Sequence, residues 1–207
     1  MKKTLTFLGL MGAMATSAVA GTVAVAPTPA PTPAPVPAWE PAVGLEMLCA
    51  IGDQNGVPNM WGPRFSYSLL KAANEKVTHE VVAGLGLLWG SECDTGLNTR
   101  VFEMPLTVGY NYNYAVCDKT SVYAGAKLGL NYVDVNYRMD FGNGVGKESD
   151  ATWGWQWSVG TGIKYELTQQ MDLILGYEFT RVYADFYDTD NMAVGYHVIN
   201  LGVQYSF

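Results

Sequence analysis

Beyond residue 40 the chain alternates between apolar and polar side chains. At its end, Ile199, Leu201, Val203, Tyr205 and Phe207 share one parity, while Asn200, Gly202, Gln204 and Ser206 share the other. A period of two is the signature of a strand with one apolar face. Met104, Leu106, Val108, Tyr110, Tyr112 and Tyr114 oppose Pro105, Thr107, Gly109, Asn111 and Asn113 in the same way. Val122 to Tyr132 repeats the pattern, with Gly125, Lys127, Gly129 and Asn131 on the polar parity. So does the run from Trp153 through Trp155, Trp157, Val159 and Ile163 to Tyr165, with Gly160, Gly162, Lys164 and Glu166 between. Val77, Val81, Leu85, Leu87 and Trp89 form another apolar set, as do Met171, Leu173, Leu175, Tyr177 and Phe179. Two weaker sets precede them, Leu45, Met47, Cys49, Ile51 and Phe65, Tyr67, Leu69. No segment after residue 40 has helical periodicity. The pattern predicts eight strands, the strong ones of roughly ten residues, as a tilted membrane-crossing strand requires.

The connections alternate in length. Long stretches at 52–60, 90–98, 138–152 and 182–191 are separated by short ones at 72–76, 117–120 and 167–170. Long and short loops in turn, with both ends on the short-loop side, are expected of an up-and-down barrel with its termini in the periplasm. The long loops would then face outward, carrying Asp94, Asp140, Glu148, Asp150, Asp185, Asp188 and Asp190.

Alternation alone does not orient the faces, because a soluble barrel or sandwich would alternate too. Volume orients them. The interior of an eight-stranded barrel holds only its own side chains or one small ligand. Turning Trp89, Trp153, Trp155, Trp157, Tyr110, Tyr112, Tyr114, Tyr177, Phe179, Tyr205 and Phe207 inward would overfill it. The apolar face is therefore predicted to meet lipid, with aromatic girdles at both interfaces. Glu46, Arg64, Glu80, Glu103, Lys127, Lys164, Glu166, Asp172 and Glu178 then point into the lumen. Charges there must be paired or wetted, so Arg64, Lys127 and Lys164 are each expected to find carboxylate partners and plug it.

The N-terminal region reads as export machinery. Lys2 and Lys3 precede an apolar core from Leu5 to Met14, and Ala18-Val19-Ala20 offers a signal-peptidase site. Residues 1–20 are expected to be a signal peptide, with Gly21 the first mature residue. Alternate prolines from Pro27 to Pro37 fix φ and remove amide donors, predicting a polyproline II tether over 21–40. Residues 41–207 form the barrel.

A net charge of -7 without a Lys/Arg cluster speaks against nucleic-acid binding. Cys49, Cys93 and Cys117 lack C-x-x-C spacing, so no zinc or redox site is expected. In this arrangement Cys49 and Cys93 lie near the outer rim, and theirs is the one disulfide the topology would permit. The acidic run Asp185, Asp188 and Asp190 lacks the spacing of a calcium loop. His79 and His197 have no serine and acid at catalytic spacing. No catalytic, cofactor-binding or metal site is expected, and no enzyme activity.

Several segments carry a family resemblance. They are Glu103-Met104-Pro105-Leu106-Thr107-Val108-Gly109-Tyr110, Val122-Tyr123-Ala124-Gly125-Ala126-Lys127-Leu128-Gly129-Leu130 and Gly160-Thr161-Gly162-Ile163-Lys164-Tyr165. Leu173-Ile174-Leu175-Gly176-Tyr177-Glu178-Phe179 and the terminal Tyr205-Ser206-Phe207 complete the set. Together they resemble the opacity-protein and OmpA-like class of small outer-membrane barrels over about residues 41–207. The resemblance implies an outer-membrane location and roles in adhesion, envelope integrity or limited diffusion. It also implies that Tyr205 and Phe207 form the terminal signal read by the barrel assembly machinery. No peptidoglycan-binding domain is expected after Phe207. The sequence thus predicts an all-β, eight-stranded antiparallel transmembrane barrel with a structural or adhesin-like role, in contact with outer-membrane lipid and lipopolysaccharide and offering its long loops to surface ligands. A narrow pore and a lipid-A-modifying barrel enzyme are the alternatives.

Overall fold

A computed structural model describes residues 39–53, 57–94, 97–140, 145–186 and 189–207. The predicted signal peptide, and the predicted tether up to residue 38, lie outside the described residues. The chain builds strands β1 (Glu40–Gly52), β2 (Met60–Ala72), β3 (Val77–Gly86), β4 (Leu88–Asp94), β5 (Leu97–Cys117), β6 (Thr120–Asp140), β7 (Val145–Thr168), β8 (Met171–Phe186) and β9 (Thr189–Ser206). All neighbours are antiparallel, and β1 pairs with both β2 and β9. The sheet therefore closes on itself, which removes the unpaired edges an open sheet would expose to lipid.

Nine strands make eight staves because β3 and β4 are halves of one. Both pair with β2 and with β5 in a single uninterrupted register: Leu85 lies opposite Leu106, and Leu88 opposite Glu103. That register puts Pro105 level with Gly86, at the break. Proline has no N–H to give to a ladder, so one rung is lost. Leu87 still donates its N–H to the carbonyl of Pro63 on the other side, at 2.9 Å. Gly86 suits the position, because a Cβ there would come within 2.8 Å of Pro105 Cγ.

The faces divide as the alternation predicts. Leu128, Trp61, Val108, Leu106, Leu175 and Leu201 stand exposed on the outer wall, while Asn131 and Asn200 inside have no exposed surface. Trp61, Trp89 and Phe102 form one outer aromatic row (centroids 6.3 and 5.9 Å apart), and Tyr132 and Trp153 continue it. Tyr110, Tyr112, Tyr114, Tyr205 and Phe207 lie toward the opposite end of the barrel. Val77, predicted with the outward set, is instead buried, where its carbonyl accepts the Ala73 N–H and closes the turn.

The long outer loops are a second correction. Residues 138–152 fold mostly as the continuations of β6 and β7, and 90–98 and 182–191 largely as strand. With β5 and β6 at 21 residues and β7 at 24, a rise of ~3.3 Å per residue and a tilt of ~40° carry these staves about 50–60 Å along the axis. A hydrocarbon core of ~30 Å accounts for little more than half of that. The remainder is paired wall in excess of what crossing a membrane requires.

Candidate functional site

The lumen is filled in two layers. Toward the short-turn end and at mid-height, Arg64 lies between Glu46 and Glu178, with Nη2 2.7 Å from one carboxylate and Nη1 2.8 Å from the other. Lys127 pairs with the same Glu178. Lys164 pairs with Glu80 at 2.9 Å and donates to Gln204 Oε1 at 2.8 Å. Glu80 also accepts from Asn111 Nδ2 at 2.9 Å and Gln204 Nε2 at 2.8 Å, and Asn200 Nδ2 donates to Glu46. Arg64, Lys127 and Lys164 thus each have the carboxylate partner that the sequence analysis assigned in kind. Of the remaining inward charges, Glu166 and Asp172 face each other across β7 and β8 at the short-turn end of the lumen.

Above this network sits an apolar layer that the sequence analysis did not anticipate. Leu48, Ala50, Met60, Leu88, Val101, Val133, Val135, Val182, Tyr196 and Val198 form one buried cluster. Its signal was present in the chain. Leu48 and Ala50 share the inward parity of Glu46, as Val133 and Val135 share that of Asn131. At the boundary between the layers, Glu103 is buried without a cation partner among the described residues. Asn131 Nδ2 donates to one of its oxygens at 2.7 Å and the Tyr196 hydroxyl to the other at 2.8 Å. Two voids beside Arg64 measure about 40 and 30 Å³, the scale of a few water molecules.

Both histidines lie on the outer wall against tyrosines. His79 Nδ1 meets the Tyr110 hydroxyl, and His197 Nδ1 the Tyr177 hydroxyl at 2.7 Å. Among the described residues no group of His, Cys, Asp and Glu is arranged to hold a metal ion. Of the acidic run, Asp188 lies outside the described residues. Cys49, Cys93 and Cys117 are all free thiols, so the Cys49–Cys93 bridge is absent. The register explains this: β2 stands between β1 and β4, with Cys49 opposite Trp61 and Trp61 opposite Trp89.

A closed eight-stave antiparallel ring with an apolar, aromatic-girdled exterior and a charged, packed interior defines an integral outer-membrane β-barrel. The chain belongs to the outer membrane protein beta-barrel domain family, whose model matches residues 8–207. Among solved structures, the attachment invasion locus protein Ail of Yersinia pestis is similar in fold, with TM-score 0.53 and 16% identity over 82% of this chain and 99% of that one. Neisserial surface protein A gives 0.52 and 18% identity, over 82% of this chain and 97% of that one. A major outer membrane protein of Thermus thermophilus gives 0.50 and 10%, over 81% and 99%. No curated protein matches the sequence.

Proposed function

We propose that the protein is a non-catalytic barrel, closed to solutes, that serves the envelope through its outer wall and rim. The observation that carries this reading is the doubly filled lumen. A solute crossing it would have to displace both the Glu46–Arg64–Glu178–Lys127 network and the apolar layer headed by Met60 and Tyr196. A non-catalytic role is supported by the histidines, whose partners are wall tyrosines rather than a nucleophile and an acid. The paired wall above the membrane supplies a rigid surface for lipopolysaccharide and for partners outside the cell, in keeping with the attachment named for Ail.

The remaining assignments follow the same reading. Residues 1–20 act as a cleaved signal peptide and 21–40 as a periplasmic tether leading into the barrel at 41–207. Trp39 supports this, since its ring takes the Lys71 ammonium at 5.6 Å beside the start of β1. Tyr205 and Phe207 serve as the terminal assembly signal. Their rings pack edge to face at 5.3 Å on the outer wall, where another protein can reach them. Planar-bilayer recording and sugar-driven liposome swelling test closure. Silence in both is expected, and a steady unitary conductance would make the protein a narrow pore instead.

A further inference from the structure

The outer wall above the membrane carries a cationic cluster that the closed lumen does not use. Arg100 on β5, Arg138 on β6 and Lys147 on β7 are all exposed. They share the parity of Phe102, Tyr132 and Trp153, which places them on the exterior. Arg138 and Lys147 lie directly opposite each other across the β6–β7 pairing, and Arg100 lies opposite Asn136, one same-face step from Arg138. Like charges set directly opposite one another destabilise a sheet, and a bound anion would offset that repulsion. The protein's four described ion pairs all lie in the lumen, so none of these three cations pairs with a described carboxylate. The chain as a whole carries -7, which makes this clustering of positive charge a local feature rather than a general basic character.

Position and shape identify the class of anion. Phe102 is two residues below Arg100 on the same face, and Tyr132 and Trp153 are six below Arg138 and Lys147. The cations therefore stand roughly 5–15 Å above the aromatic row, measured along a tilted strand. Aromatic rows mark the headgroup level, so this band is where phosphates of an outer-leaflet lipid lie. A concavity of about 500 Å³ opens among Asn98, Arg100, Asn136, Arg138, Lys147 and Ser149. These side chains offer amide, hydroxyl, ammonium and guanidinium donors, and guanidinium forks match phosphate oxygens. Tyr137 and Glu148, both of inward parity, complete the lining. Among the described side chains, Asp134 is the carboxylate that shares the outward face of β6, and it accepts from Asn136 Nδ2 at 2.8 Å.

We infer that Arg100, Arg138 and Lys147 form a binding site on the barrel's outer wall for the phosphate groups of an outer-leaflet glycolipid. This deepens the surface-interaction reading and rests on the outward face of β5–β7, not on closure of the lumen. A conducting lumen would leave it standing.

The test uses the refolded full chain in phosphatidylcholine nanodiscs doped with bisphosphorylated lipid A, with dephosphorylated lipid A as the comparison. Retained lipid is counted by native mass spectrometry. Heat-modified gel mobility confirms that each variant is folded. Wild type is expected to retain the phosphorylated lipid in preference to the dephosphorylated one. Arg100→Gln/Arg138→Gln/Lys147→Gln should lose this preference by about tenfold or more. Lys71→Gln/Lys76→Gln/Lys119→Gln, the same charge change at the periplasmic end, should keep it. If the triple variant does not fold, Arg138→Gln/Lys147→Gln near the wall's upper end carries the same expectation. Equal retention of both lipids by wild type, or no loss in the folded variants, overturns the site. Stronger competition by a sulfated sugar than by lipid A would also overturn it, reassigning the cluster to a polysaccharide.

Discussion

Arg64 and Glu178 are 114 residues apart in the chain, yet Arg64 Nη1 donates to both oxygens of Glu178 across the lumen, at 3.0 and 2.8 Å. The same guanidinium donates through Nη2 and Nε to Glu46, at 2.7 and 3.3 Å. One side chain thus ties β1, β2 and β8 together, and only the planar fork of arginine can hold two carboxylates in this way.

Arg64→Met should therefore be among the most destabilising single changes in the barrel. It removes the ion pair of Glu46, leaving it the Asn200 amide, and leaves Glu178 with Lys127. A loss of about 3–5 kcal/mol is expected for removing one partner from a buried ionic network. Urea unfolding in detergent micelles measures it, and a loss below ~1 kcal/mol would mean that the network contributes little.

Glu103 should behave in the opposite way. It has two neutral donors, Asn131 and Tyr196, and no cation. Glu103→Gln removes a buried charge and keeps an acceptor, while the Tyr196 hydroxyl can reorient, so a change within ~1 kcal/mol is expected. Glu80→Gln, which strips Lys164 of its partner, should cost about 3 kcal/mol or more. Equal losses in the two variants would show that Glu103 is paired in solution.

The faces can be tested at neighbouring residues. Leu175 is exposed on the wall, and Leu175→Arg should cost ~2–4 kcal/mol if it lies near mid-bilayer. Gly176 faces inward, where an added Cβ would stand 2.5 Å from Asn200 Oδ1 and against the Tyr123 hydroxyl. Gly176→Val should therefore destabilise by crowding rather than by charge, typically 1–3 kcal/mol. Refolding yields of the two variants in lipid of different thickness separate the causes: only the Leu175→Arg defect should vary with thickness.

The cysteines give a labelling prediction. Cys117 ends β5 in the exposed short turn before β6, where hydrogen bonds from Thr120 and the Lys119 backbone hold its thiol below the ordinary value. More of it is thiolate at a given pH, so its reaction with a water-soluble maleimide should persist to lower pH than that of an unstructured cysteine peptide. Cys49 lies opposite Trp61, level with the outer aromatic row, so it sits among the headgroups and should react with the same reagent more slowly than Cys117. Intact mass with and without reductant should be unchanged, since all three thiols are free.

Strand count, facing and closure were legible because lipid imposes a strict rule: every second residue must be apolar, and Ile199 to Phe207 or Met104 to Tyr114 obey it without exception. Above the membrane that rule lapses. Residues such as Arg138, Lys147 and Ser149 continue β6 and β7 with a polar outward face, so they read as loop although their backbones are paired. The apolar layer was hidden for a related reason. With one parity facing lipid, the other reads as a polar lumen, and nothing in the alternation marks Leu48, Leu88, Val133 and Val182 as a second, enclosed core. The lumen partnerships were readable in kind, cation with carboxylate, but which carboxylate meets Arg64 depends on the stagger of eight staves.

The staves differ in length by side. β1 and β2 have 13 residues each, whereas β6 and β7, which stand across the ring from them, have 21 and 24. The described part of the rim is thus cut obliquely, and the molecule has a front and a back in the plane of the membrane. A ligand or neighbouring protein drifting in the bilayer would meet a raised face from one bearing and a low sill from the other. Encounters outside the cell then depend on how the barrel is turned about its axis, a directional preference that a level cylinder would lack.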